Sequence, residues 1–157
     1  MTRIPSHLSG LILALLSLPT SAHAAAPMPS CAIVGDSIAV GAGHYMRSCK
    51  VNAKIGISSR AVIDRVDPSA AVNVVSAGSN DPDSPSLRAN LERIRSRARR
   101  VIWILPMNAR ARAAVQNVAA EHGDPVVAFA PAGDHVHPRS EAALARSIVA
   151  AMGEERS

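Results

Sequence analysis

Short apolar runs alternate with longer helix-like segments along most of this chain, and this alternation restricts the possible folds more than any other feature. Short, mostly apolar runs are typical of buried strands. Five strand-then-helix units with short links predict a parallel sheet covered by helices on both faces, a three-layer α/β/α sandwich. The predicted strands are residues 31–34, 51–55, 72–76, 101–105 and 126–129, and the predicted helices are residues 38–47, 61–66, 86–98, 109–122 and 140–152.

The N-terminal end has the layout of a secretory signal peptide. It combines a basic start at Arg3, an apolar stretch over residues 8–18, and a small-x-small cleavage site that ends at Ala24. An uncleaved anchor is the alternative, but the apolar stretch is shorter than the roughly 20 residues of a membrane span. We therefore expect a signal peptide over residues 1–24, a secreted or periplasmic protein without stable membrane insertion, a lead-in over 25–30, and one domain over 31–153.

The formal net charge of +5 comes mainly from arginine, since Lys50 and Lys54 are the only lysines. A basic chain can bind nucleic acid or an anionic polymer of the cell envelope. Nucleic acid is disfavoured here, because export and the scarcity of aromatic residues leave few platforms for base stacking. The largest arginine cluster is expected to be a solvated helix face and its exit. Its members are Arg93, Arg95, Arg97, Arg99 and Arg100.

Cys31 and Cys49 are the only cysteines of the chain. Export permits a disulfide. Cys31 begins the first predicted strand, and the helix after it should run back antiparallel to that strand and return Cys49 towards the strand's beginning. We predict a Cys31–Cys49 disulfide, with two free buried thiols as the alternative.

Two polar patches directly follow the first and the fifth predicted strands. They are Gly35-Asp36-Ser37 and Asp134-His135-Val136-His137-Pro138. Because the carboxyl ends of parallel strands lie along one edge of the sheet, residues far apart in sequence can meet there. Alone, Ser37 also fits an ordinary turn with a helix cap.

The second patch supplies the groups that a nucleophilic serine requires. A carboxylate at Asp134 can hold the Nδ1–H of His137 while Nε2 faces a serine hydroxyl from another loop. Such a base is needed because a serine hydroxyl is a weak nucleophile at its free pKa. A zinc site formed by Asp134, His135 and His137 is a weaker alternative, since their spacing is not a standard ligand pattern and no distant ligand stands out.

With a third patch included, the chain resembles the SGNH, or GDSL-type, serine hydrolases. The matching residues are Gly35-Asp36-Ser37, Gly78-x-Asn80-Asp81 and Asp134-x-x-His137-Pro138. They follow predicted strands and stand in the order of the family's first, third and fifth sequence blocks. The resemblance implies a flavodoxin-like fold with a five-stranded parallel sheet, and an acyl-ester hydrolase site that uses no metal or organic cofactor.

The resemblance also implies roles for these residues. Ser37 corresponds to the nucleophile, His137 to the general base, and Asp134 to the group that orients the imidazole. The side chain of Asn80 and the backbone N–H of Ser37 correspond to donors of an oxyanion hole. For Asn80, a turn-forming asparagine is the alternative.

The family's second block is where this chain departs from the pattern. Members usually carry a glycine after the second strand, and its backbone N–H completes the oxyanion hole. Alignment by position after the strand puts Ser59 there, whereas alignment by residue type selects Gly56. We expect the N–H of Ser59 to be the third donor. Arg60, directly after it, is placed to hold an anionic group of a substrate.

These features predict a secreted serine esterase that acts on short acyl esters, such as O-acetyl groups of a polysaccharide. The main alternative is a noncatalytic domain of the same fold that binds an envelope polysaccharide through its arginines. A nucleotide- or flavin-binding protein shares the architecture, but the turn at Gly35 is not a glycine-rich loop that cradles phosphate.

Overall fold

A computed structural model describes residues 30–153; the expected signal peptide lies outside the described residues. Five parallel strands form one sheet in the order β2-β1-β3-β4-β5. The strands are β1 (Cys31–Gly35), β2 (Lys50–Ala53), β3 (Val72–Ser76), β4 (Val101–Ile104) and β5 (Val126–Val127). The helices are α1 (Ser37–Tyr45), α2 (Ser59–Val62), α3 (Leu87–Arg97), α4 (Ala109–His122) and α5 (Glu141–Gly153).

Alternation along the strands divides the hydrophobic core into two layers, because successive strand residues point to opposite faces of a sheet. Ala32 and Val34 pack on the side of α2, α3 and α4, whereas Ile33 packs on the side of α1 and α5. Trp103, the largest fully buried side chain, belongs to the first side. The predicted three-layer α/β/α sandwich with a five-stranded parallel sheet is therefore confirmed.

The two edge strands are shorter than predicted. β2 ends at Ala53 and β5 at Val127, where the sequence suggested strands through residues 55 and 129. An edge strand has a hydrogen-bonding neighbour on only one side, so little holds its end in the ladder. After β5 the chain turns away and forms the loop that carries His137.

The second predicted helix is also shorter. α2 ends at Val62, and a 3-10 turn over Ile63–Arg65 replaces the expected continuation to residue 66. Pro68 follows closely, and a proline disfavours helical geometry in the residue before it. No helix within residues 30–153 has both the length and the hydrophobicity needed to cross a membrane.

The predicted disulfide is present between Cys31 and Cys49, whose Cα atoms are 4.7 Å apart. Cys31 is the first residue of β1, and Cys49 directly precedes β2 at the far end of the β1-α1 unit. Both cysteines are buried in the core layer next to α1. The disulfide therefore closes the β1-α1 unit at the sheet edge opposite Ser37.

The arginine cluster is a solvated face only in part. Three of its members are exposed, as expected. Arg95 is instead mostly covered, and its Nε lies 2.7 Å from a carboxylate oxygen of Asp124. Arg100 donates to the main-chain oxygen of Ala151 at 3.0 Å. These two arginines tie the end of α3 and the segment after it to neighbouring elements, a role that the charge pattern did not indicate.

Candidate active site

Ser37 lies at the carboxyl edge of the sheet, as the first residue of α1. Gly35 makes the turn before it possible: its φ is 139°, and a Cβ there would overlap the main-chain oxygen of Ser76 on β3. The carboxylate of buried Asp36 caps α1 by accepting from the N–H of Ile38 at 3.1 Å, and it accepts the Ser76 hydroxyl at 2.7 Å. The turn that presents Ser37 is thus fixed to two adjacent strands.

The loop from Pro131 to Pro138 holds the imidazole. Its ends form an isolated antiparallel bridge between these two prolines, and the N–H of Ala132 donates to the main-chain oxygen of His137 at 2.7 Å. His135 has a φ of 57°, the left-handed geometry of a tight turn. These local contacts close the loop on itself and aim His137 back towards the sheet.

The structure brings Ser37, His137 and Asp134 together in a continuous hydrogen-bonded chain. Nε2 of His137 lies 2.9 Å from Ser37 Oγ, and Nδ1 lies 2.5 Å from Asp134 Oδ2. In a neutral imidazole, Nδ1–H donates to the carboxylate and Nε2 accepts the serine proton. This arrangement allows the histidine to act as a general base towards the serine hydroxyl.

The carboxylate of Asp134 is held in its charged form. The side-chain hydrogen bond to His137 is the main cause, followed by the backbone N–H groups of Val136 and His137, each 3.0 Å from Oδ1. Together they hold the pKa of Asp134 well below its usual range. A carboxylate that stays ionised can orient a neutral imidazole and stabilise the imidazolium that forms on proton transfer.

Asn80 lies in the loop after β3, the strand that neighbours β1 in the sheet. Its Nδ2 donates to the main-chain oxygen of Ile57 at 3.0 Å, which uses one of two amide hydrogens. The N–H of Ser37 has no acceptor within its own helix, because the first N–H groups of a helix lack an intrahelical partner. One amide hydrogen of Asn80 and the backbone N–H of Ser37 thus have no acceptor among the described residues.

The structure differs from the sequence expectation at Ser59. Its N–H donates to both carboxylate oxygens of Asp81, at 3.0 and 3.1 Å, and its hydroxyl donates to one of them at 2.6 Å. A backbone N–H held by a carboxylate is not free to bind an oxyanion. Gly56, the other candidate, lies in an exposed turn with a φ of 75°.

The sequence did not indicate that Asp81 and Asn90 contact Ser59 next to the candidate active site. Asn90, on α3, donates from Nδ2 to Ser59 Oγ at 2.9 Å, so fully buried Ser59 joins α2, α3 and the loop after β3. Asp81 stood within the Gly78–Asp81 patch, but its spacing from Ser59 in sequence gave no sign of their contact. Only the packing of two βα units side by side reveals it.

His135 does not join the chain of Ser37, His137 and Asp134. It is exposed, and its left-handed backbone turns the loop between Asp134 and His137. Within residues 30–153, no group of three or more histidine, cysteine, aspartate or glutamate side chains is arranged to hold a metal ion.

No family model matches this chain, and no curated protein matches it. Among solved structures, the chain is similar to the C-terminal catalytic domain of Streptococcus pneumoniae peptidoglycan O-acetyltransferase A (OatA), determined with a methylsulfonyl adduct. The TM-score is 0.57 and the identity 13%, and the match covers 81% of this chain and 94% of that one. At this level of identity the likeness is one of fold: the chain shares its α/β/α architecture with that catalytic domain.

Proposed function

We propose that this protein is an exported serine esterase that cleaves short acyl esters, such as O-acetyl groups, through an acyl-enzyme on Ser37. The observation that carries the proposal is the unbroken hydrogen-bond chain from Ser37 Oγ through His137 to Asp134. A serine hydroxyl within 2.9 Å of an imidazole nitrogen has the base that it needs to become a nucleophile.

In the proposed reaction, His137 takes the proton of Ser37 as Oγ attacks the ester carbonyl carbon. The tetrahedral oxyanion is held by the N–H of Ser37 and the free amide hydrogen of Asn80. His137 then gives its proton to the leaving alcohol, and the acyl group remains on the serine oxygen. Water activated by the same histidine attacks the acyl-enzyme, releases the carboxylic acid and restores the hydroxyl.

The open surroundings of the triad favour a short acyl group on a bulky alcohol. The side chains of His137 and Asp134 are 43% and 51% exposed, so no lid in the described part of the chain encloses them. A long acyl chain would require an apolar tunnel to leave water. The signal peptide expected over residues 1–24 supports a substrate outside the cytoplasm.

A second candidate is transfer of the acyl group to another alcohol instead of water. The likeness to the catalytic domain of a peptidoglycan O-acetyltransferase favours this candidate. Both reactions share the acyl-enzyme on Ser37 and differ only in what attacks it. Incubation with p-nitrophenyl acetate and an added saccharide acceptor separates them, since an esterase releases acetate and a transferase forms acetylated saccharide.

Replacement of Ser37 tests the shared step. Ser37→Ala should abolish turnover of p-nitrophenyl acetate and labelling by a fluorophosphonate, because both need the nucleophilic oxygen. Ser48→Ala, which removes an exposed hydroxyl far from the triad, is the matched control. A wild-type protein that is folded and inert to both reagents would support the alternative of a noncatalytic binding domain.

A further inference from the structure

A polar groove runs between α2 and α3 on the outside of the sheet. It consists of two adjoining cavities of about 510 and 240 Å³ that share Arg60 and Arg93 in their walls. The larger cavity lies at the amino ends of the two helices, and the smaller one continues along them towards Arg97. An elongated groove of this kind fits a segment of a chain molecule better than a compact ligand.

The larger cavity begins next to the candidate active site. Asp81 lines it and directly follows Asn80, the proposed oxyanion donor. Ser58 also lines it and precedes Ser59, which is bonded to Asp81. The groove therefore adjoins the loop that carries the proposed oxyanion donor, and no residue of the Pro131–Pro138 loop lines it.

The acidic residues along the groove do not occupy all of its arginines, so guanidinium groups remain available to a ligand. Asp81 already accepts three hydrogen bonds from Ser59. Asp64 is shared between Arg60 at 3.6 Å and Arg97 at 3.4 Å, in pairs that are mostly exposed to solvent. Within residues 30–153, Arg93 has neither a salt bridge nor a side-chain hydrogen bond. The groove therefore presents guanidinium groups suited to a carboxylate, which such groups bind through two parallel hydrogen bonds.

The remaining walls favour a hydroxyl-rich ligand over a nucleic acid. Ser58, Ser84 and Ser86 contribute hydroxyl groups to the larger cavity. None of the residues that line either cavity is aromatic, so a nucleobase would find no ring on which to stack. Hydroxyls together with arginines match a saccharide that bears carboxylates.

We propose that this groove binds an acidic, carboxylate-bearing saccharide, with Arg60 and Arg93 as the residues that select its charge. The inference rests on the proposed function, because it makes this saccharide the alcohol part of the ester. It narrows the substrate class to O-acylated acidic polysaccharides. Carboxylates of the sugar units contact the two arginines while an acyl group carried by the same polysaccharide reaches Ser37.

Binding of unacetylated oligosaccharides tests the groove apart from catalysis. The probes are a hexamer of galacturonic acid and its carboxyl-reduced form, which keeps the hydroxyls and loses the charge. We expect the double variant Arg60→Gln/Arg93→Gln to bind the acidic hexamer about 10-fold more weakly by calorimetry, as the loss of charge-assisted hydrogen bonds predicts. The matched control Arg99→Gln/Arg146→Gln removes the same charge elsewhere and should change the affinity less than about twofold.

Several outcomes would overturn the groove proposal. They are an acidic hexamer that does not bind, equal affinity for the carboxyl-reduced hexamer, an equal loss in the control variant, or tighter binding of a single-stranded oligonucleotide of the same charge. Hydrolysis of p-nitrophenyl acetate by the wild-type protein decides the proposed function separately. A protein that binds the acidic hexamer but leaves this ester intact would support the groove proposal and contradict the proposed esterase function.

Discussion

Two segments flank Ser37, and they are held in opposite ways. On one side, the His137 loop is exposed, and its contacts are mostly internal: the proline bridge and the bonds that Asp134 accepts from its own loop. On the other side, Ser59 is fully buried and joins three elements through Asp81 and Asn90. The position of the base, His137, thus depends on local closure of its own loop. The position of the proposed oxyanion donor, Asn80, depends on the buried packing around the neighbouring Asp81. Changes on the first side should alter rate without stability, and changes on the second should alter both.

Among changes to the two flanking segments, Asp134→Asn on the exposed side is expected to have the largest effect. The amide cannot hold the imidazole in the tautomer that accepts the serine proton, so kcat should fall by on the order of 10⁴-fold. Thermal unfolding should change little, since the side chain is half-exposed. Activity on p-nitrophenyl acetate and the unfolding midpoint measure the two effects. Asp83→Asn, on another exposed loop, is the control. An unfolding midpoint that drops together with the rate would contradict the proposed independence of rate and stability.

The contacts on the exposed side could be predicted from the sequence, whereas those on the buried side could not. His137 and Asp134 are three residues apart, so a short spacing was enough to predict their contact. The order of the βα units was predictable because each strand is a continuous apolar run. The contact between Ser59 and Asp81 was not predictable, because it forms only when two separate βα units pack together. The early end of β5 was not predicted, because Ala128 and Phe129 are apolar enough for a strand yet leave the sheet at its edge.

Asn80→Ala is expected to have the next largest effect. Loss of one oxyanion donor typically lowers kcat by about 100- to 1,000-fold, with little change in KM when the interaction is made only in the transition state. Steady-state kinetics with p-nitrophenyl acetate measure both constants, and Asn117→Ala on the exposed face of α4 is the control. Unchanged kcat and KM would remove Asn80 from the oxyanion hole and leave it a turn residue.

Ser59→Ala tests the buried side directly. It removes the hydroxyl that donates to Asp81 and accepts from Asn90, and it leaves the buried amide of Asn90 without that acceptor. We expect a loss of about 1–3 kcal/mol in the free energy of unfolding, the usual cost of an unsatisfied buried group. Denaturant titration measures it. Ser58→Ala is a matched control, since the neighbouring serine makes no side-chain capping bond. Equal stability of the two variants would contradict the role of Ser59 as a buried junction.

The smallest expected effect is a difference in pH dependence between the two sides. The folded pKa of Asp134 is lowered, so its contribution to the loop is complete above the ordinary carboxyl value of about 3.9 and is lost only as the pH falls through the lowered value. From about pH 5 to 8 the carboxylate therefore stays charged, and Asp134 should contribute no proton to the acid limb of kcat/KM. On the donor side, the groups that face the oxyanion are an amide and a backbone N–H, which do not titrate. The pH profile of Asn80→Ala should therefore superimpose on the wild-type profile after scaling. An acid limb that takes up more than one proton would contradict a carboxylate that stays charged, and a profile displaced by Asn80→Ala would show that the two sides are coupled.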